Sequence, residues 1–237
     1  MTTVAAPGVI SPAARVSPTR WLVLGCYALL AASTQLLWLT FAPIDTSVAR
    51  VMHTDVGAVG DLAAVFPLVY IVLALPTGRW LDARFGQALA LGALATGGGA
   101  LLRLVAPASF AWQLAGQAVI SAGQPLVLNS ITKVAARNFP PEQRATAIAV
   151  GSVALFAGIL AAVLVGGPLF DAGGLRLLLT AEAIPAVVAT GLMLFALRVA
   201  PAFPDNPSAT VSLRWLARDR FMWLLAGLVF IGMGTYN

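Results

Sequence analysis

Seven long apolar segments alternate with short polar steps along this chain. They run roughly Trp21–Pro43, Leu62–Leu81, Ala88–Val105, Phe110–Ala136, Arg144–Phe170, Leu175–Val199 and Phe221–Asn237. The apolar runs are unbroken and lack the two-residue alternation of an outer-membrane barrel, so the pattern predicts helices. Most of them are near the ~20 residues that a hydrocarbon core about 30 Å thick requires. Met1–Pro18 is rich in Ala, Pro, Ser and Thr and has no apolar core beside a cleavage site, so it does not read as a signal peptide. The pattern therefore divides the chain into a disordered cytoplasmic tail (1–20), a six-helix transmembrane bundle (21–200), a cytoplasmic linker (201–220) and a truncated seventh helix (221–237). The linker carries Pro201, Pro204 and Pro207. Ser212–Arg220 reads either as a short helix in the membrane interface or as a charged flank. The seventh segment runs out with no loop after it, which predicts a fragment that lacks the C-terminal half of the same protein. A complete seven-span protein with an outer C-terminus is the alternative.

Composition supports the membrane reading. Of the 237 residues 59% are hydrophobic and 10% charged, against about 25% charged in a soluble domain. Too little polar surface remains to cover a soluble fold, so the expected partner is the lipid bilayer. The net charge of +5 does not point to nucleic acid, because the basic residues fall on one side of the spans. With the N-terminus inside, the inner side holds Arg15, Arg20, Arg79, Arg84, Lys133, Arg137, Arg144, Arg198, Arg214, Arg218 and Arg220. The outer side holds Arg50 and Arg176, and Arg103 is expected to snorkel at the outer end of the third span. This bias predicts a multi-pass protein of the cell (plasma) membrane, an inner membrane in a bacterium, with a cytoplasmic N-terminus. Cys26 is the single cysteine and His53 the single histidine. No intramolecular disulfide, metal cluster or cofactor is expected from them. No span pairs a nucleophile with a base or brings two aspartates to its centre, which argues against an enzyme.

Gly78-Arg-Trp-Leu-Asp82-Ala83 follows the second segment, and Gly167-Pro-Leu-Phe-Asp171-Ala172 follows the fifth, 89 residues later. The recurrence makes helices four to six a copy of helices one to three. Three is odd, so the copy is inverted in the membrane, an arrangement typical of transporters. Gly78 suits close helix approach. Asp82 suits the positive end of a helix dipole. Arg79 and Arg84 are placed to pair with Asp82, so Gly78, Asp82 and Arg84 form a candidate conformational latch. A solvated basic loop is the plainer reading.

This layout resembles the major facilitator superfamily, whose signature between the second and third helices is similar to Gly78-x-x-x-Asp82-Ala83-Arg84-x-Gly86. Ala83 stands where the family has a basic residue, and Gly86 falls one residue late. The resemblance implies an all-α membrane protein, a major facilitator-like six-helix bundle of two inverted three-helix repeats plus the start of a seventh span. A narrower resemblance rests on Gly116-Gln117, Ser121-Ala-Gly-Gln124, Thr132-Lys-Val-Ala135, Phe139-Pro-Pro-Glu142 and Ala145-Thr-Ala147. Trp38-Leu-Thr-Phe-Ala-Pro-Ile44 and Gly234-Thr-Tyr-Asn237 add to it. Together these are similar to the feline leukaemia virus subgroup C receptor-related family. Its members are facilitators of choline and ethanolamine, with haem and pyridoxine proposed for relatives. The resemblance implies a small-molecule substrate held by an aromatic cage, with Trp38 at the cage position, Gln124 at the fourth-helix glutamine and Tyr236 at or beside the seventh-helix aromatic. Leu155-Phe156 replaces an Asn-Gln pair of the family and makes the cavity more apolar.

The residues themselves allow a second estimate. A quaternary ammonium donates no hydrogen bond, so a site holds it through cation–π contact, best with Trp. Trp38 lies about 27 Å above Arg20 on a straight helix, which fits either a cavity position or the outer aromatic belt. Gln124 lies near the middle of its span, where an amide needs a partner or a wet cavity. Asn129 and Gln35 are further candidate substrate contacts. Gln117 reads as packing. Glu182, with Pro185 close by, is the acid most clearly inside a span and a candidate coupling residue. The sequence thus predicts a transporter of a small organic solute, choline-like organic cations among them, by alternating access. A proton-coupled drug or metabolite exporter and a non-transporting receptor or scaffold are the rivals.

Overall fold

A computed structural model describes residues 19–199, together with 219–221, 223, 224, 227 and 228. The expected tail, nearly all of the linker and the Gly234–Asn237 ending lie outside the described residues. The chain divides into two compact units, Met1–Phe203 and Pro204–Asn237. The described residues of the first unit form α1 (Arg20–Trp38), a 3-10 turn (Ala42–Ile44), α2 (Asp45–Val51), α3 (Val56–Arg103), α4 (Phe110–Leu128), α5 (Ile131–Asn138) and α6 (Pro141–Val199). In the second unit the described residues from Arg220 onward are helical.

At 48 and 59 residues, α3 and α6 would be roughly 70 and 90 Å long if straight, more than twice the thickness of a bilayer core. Each is instead two limbs joined at a break. In α3 the break is Arg84 (φ −145°, ψ 62°). In α6 it is Gly173 and Gly174, and Gly174 at φ 67°, ψ −165° occupies a region open essentially to glycine alone. Arg84 and Gly173 are 89 residues apart (173 − 84), the spacing of the Gly-x-x-x-Asp-Ala repeat. At an offset of 90, α1 maps onto α4, since 20 + 90 = 110 and 38 + 90 = 128. The repeat is therefore visible in the helix boundaries as well as in the residues.

The two copies interleave. α1 packs along α6, and α3 packs along α4. Small residues make this possible: a Cβ at Gly158 of α6 would strike the Ala32 backbone of α1, and Gly99 of α3 lies directly against Gly116 of α4. The core falls into layers. A large cluster around Leu24, Tyr27, Leu81, Phe85, Val134, Phe139 and Met193 forms one end. Phe41, Ile44, Val48, Leu62, Leu175 and Leu178 form the other. A small group, Leu37, Ala100, Ile120, Ala183 and Ala186, lies between them.

Arg20–Val51, Val56–Arg103 and Pro141–Val199 are each long and apolar enough to cross a membrane. α4 interrupts its apolar run with Gln113, Gln117 and Gln124. Two boundaries differ from the sequence pattern. The first segment does not run unbroken to Pro43: the helix ends at Trp38, and Leu39–Phe41 lead into the 3-10 turn that Pro43 favours. The fourth segment breaks at Asn129–Ser130, so its last residues, from Ile131 onward, belong to α5. There the Ser130 hydroxyl bonds back to the Leu126 carbonyl, a local competitor of helix hydrogen bonding.

Candidate functional site

At the end of α1, Trp38 is half-buried and its indole N–H donates to the Ala63 carbonyl at 2.9 Å. That bond fixes the ring. Phe66 of α3 stacks on it with centroids 4.6 Å apart, and Tyr70 stacks on Phe66 at 6.3 Å, both pairs nearly parallel. Phe66 and Tyr70 are one helical turn apart, so they share a face. The row ends where the Tyr70 hydroxyl donates to Asn129 Oδ1 at 2.7 Å. An aromatic row thus connects the top of α1 to the break between α4 and α5. Trp38, Tyr70 and Asn129 each keep part of their surface exposed. Phe66 and Tyr70 do not stand out in the sequence, because a single ring inside an apolar span reads as core. Their i, i+4 spacing is the one signal available.

α4 presents a second feature. Gln113, Gln117, Ser121 and Gln124 are all buried, and their spacing puts them within one face over roughly 16 Å of helix. The Gln124 amide reaches the Thr34 carbonyl of α1 at 3.5 Å, while its Oε1 has no partner. Both amide atoms of Gln117 and the Ser121 hydroxyl are also unpartnered, although Gln117 is buried as its sequence context suggests. An unsatisfied buried polar atom costs on the order of 1–3 kcal/mol. The four lie on one face and form a polar strip along α4, and groups of this kind are ordinarily satisfied by water. Gln35 of α1 is buried as well.

At the top of this strip lies a buried charge cluster. Arg103 does not snorkel: it is 1% exposed. Gly116 makes room for it, because a Cβ there would meet the arginine stem. Its Nε donates to Gln113 Oε1 and its Nη1 to the Leu37 carbonyl, each at 3.1 Å. The guanidinium rests 4.7 Å over the Phe41 ring. Gln113 returns a bond to the Arg103 carbonyl at 2.9 Å. Glu182 of α6 is 3% exposed. Its Oε2 accepts from the Thr40 hydroxyl, and its Oε1 has no partner.

The latch residues are arranged otherwise than their spacing suggests. Asp82 pairs with Lys133 of α5 at 2.5 Å rather than with Arg79 or Arg84. Arg84 is exposed at the α3 break, and nothing within 4 Å would meet a Cβ at Gly78. A helix places residues 79 and 82 on one face, but α5 brings a lysine closer. Phe156 is 70% exposed, and Leu155 packs on the inner core. Tyr236 lies outside the described residues. Among the described residues no cluster of His, Cys, Asp and Glu could hold a metal ion.

Known proteins place this geometry. The chain is 32% identical over 239 residues to solute carrier family 49 member A3 of Danio rerio, covering 92% of this chain and 50% of that protein. It is 29% identical to solute carrier family 49 member A3 of Xenopus tropicalis, covering 83% of this chain and 43% of that one. These matches agree with the likeness to the feline leukaemia virus subgroup C receptor-related family. The chain spans about half the length of these relatives. Its fold is similar to that of a bacterial homologue of the human lysosomal transporter Spinster, with TM-score 0.68 and 19% identity over 84% of this chain and 47% of that one. Residues 23–236 match the Major Facilitator Superfamily. By that match, which takes in all six helical limbs, this multi-pass helical membrane chain belongs to the major facilitator superfamily.

Proposed function

We propose that this chain is the N-terminal half of a transmembrane transporter of a small organic solute, with choline-like organic cations as the substrate class, working by alternating access. The observation that carries this reading is the row Trp38–Phe66–Tyr70 ending on Asn129. Stacked rings with fixed edges offer a cation π-faces at little entropic cost. The amides of Asn129 and Gln124 provide partners for a hydroxyl. Trp38, Gln124, Asn129 and Gln35 are the substrate contacts on this half, and Tyr236 would join them from the seventh span. The relatives' designation as solute carriers supports the class, and their length, about twice that of this chain, is consistent with a second half. The interleaved repeats would move as one body in the rocking motion. The N-terminus is cytoplasmic on the strength of the basic bias, and the membrane is taken to be that of the cell surface. Asp82–Lys133, which joins α3 to α5, would serve as the latch.

Labelled-choline uptake by cells expressing the complete reading frame tests this. Trp38→Ala is expected to lower uptake at subsaturating choline roughly ten- to thirtyfold, the worth of a desolvated cation–π contact, and Trp38→Phe to lower it less. Absence of saturable uptake with the protein in the membrane would remove choline as the substrate. A proton-coupled exporter of drugs or metabolites is the second reading, and the burial of Glu182 favours it.

A further inference from the structure

Glu182 and Arg103 lie outside the aromatic row, and each keeps one buried polar atom, Oε1 and Nη2, without a partner. We infer that Glu182 is a proton-binding site, reached by water along the buried glutamine face of α4, and that its charge state is read by the α1 break beside Trp38. The coupling step rests on the transporter reading above; proton binding does not.

Three observations carry the inference. First, Arg103 is held by neutral acceptors, Gln113 and the Leu37 carbonyl, and by the Phe41 ring. Arg103 and Glu182 form no direct ion pair of the kind that joins Lys133 to Asp82, so they act on one another without a tight bridge. A bidentate bridge would keep the carboxylate ionised through two charge-assisted bonds. Here Glu182 can gain a proton while Arg103 keeps every bond it has. Second, the unpartnered atoms of Gln117, Ser121 and Gln124 continue down α4 below Gln113, and buried groups of this kind are ordinarily satisfied by water. Third, the Thr40 hydroxyl is shared between Glu182 and the Leu37 carbonyl, 3.1 Å away. Leu37 and Thr40 bracket Trp38, the head of the aromatic row.

The step is a proton transfer. A proton delivered by water adds to Oε1, the carboxylate becomes a neutral acid, and the cluster gains one positive charge. Oε2 remains an acceptor, but its bond from the Thr40 hydroxyl is no longer charge-assisted and weakens, so the hydroxyl shifts its share toward the Leu37 carbonyl, at the end of α1 beside Trp38. The charged group facing Glu182 is Arg103, from α3. The α1 break contributes Thr40 and the Leu37 carbonyl, and α4 contributes Gln113. On the neighbouring elements Arg176 and Arg50 are exposed, and half-exposed Asp45 is bonded to Thr46.

Infrared difference spectra of the purified full-length protein in lipid, titrated with acid and no solute present, test the site. The wild type should gain a protonated-carboxyl band as pH falls. Glu182→Gln should lack it, Glu182→Asp should keep it, and Arg103→Gln should move its midpoint to higher pH. Monodispersity on size exclusion shows that each variant is folded. An identical band in Glu182→Gln, or no band in the wild type, overturns the proton site. In proteoliposomes, Glu182→Gln should flatten the pH dependence of solute uptake, and an unchanged profile overturns the coupling. A band that behaves as stated, with no labelled-choline uptake by the wild type, removes choline as the substrate and leaves the proton site standing.

Discussion

The Tyr70 hydroxyl and Asn129 Oδ1 form one bond that ties the first repeat to the second. Tyr70→Phe keeps the stacking and removes only that bond. It is expected to cost about 1 kcal/mol, seen as a lower thermal midpoint of the detergent-purified protein, and Asn129→Ala should cost no more when added to it. Additive losses would mean that the two residues act separately. At this scale the polar candidates were legible, because an amide such as Gln124 or Asn129 inside an apolar run needs a reason to be there. Arg103 was misread. An arginine near a helix end ordinarily reaches for water, and nothing in the sequence shows that Gly116 opens a groove for its stem. Phe66 and Tyr70 were silent because an aromatic ring looks the same in a core and in a binding row.

α3 turns at Arg84, and α6 at Gly173 and Gly174. Gly174→Ala forces an L side chain into glycine-only backbone space and is expected to cost about 1–3 kcal/mol, read as a drop in thermal midpoint. Ala at Gly167, where no neighbour lies within 4 Å, is the control and should change little. Gly158→Val tests the seam between α1 and α6. With the Ala32 backbone in its path, overpacking should cost about 1–3 kcal/mol, and a wild-type midpoint would show that the seam is looser than described. The helices and the 89-residue repeat were legible because apolar length and glycine placement are written locally. The breaks at Leu39–Phe41 and Asn129–Ser130 were not. Both sit inside apolar runs, and hydropathy does not register a change of backbone direction.

The two repeats hold one another at both ends, through the buried clusters and through Lys133–Asp82. That ion pair is 26% and 67% exposed at its two side chains, and pairs of this kind contribute at most about 1 kcal/mol. Asp82→Lys should therefore leave stability nearly unchanged while lowering the maximal uptake rate severalfold. Asp82→Lys combined with Lys133→Asp should recover it. Equal uptake by all three proteins would remove the latch. Interleaving also has a consequence for biosynthesis. α1 leaves the ribosome first, yet its main packing partner is α6, which begins more than 100 residues after α1 ends. At about 5–20 residues per second, α1 waits on the order of 5–20 s in the insertion machinery or the lipid with its α6-facing seam and the Gln35 amide not yet packed. During that interval the nascent chain depends on whatever shields intramembrane polar groups, and quality control has its best opportunity to remove it.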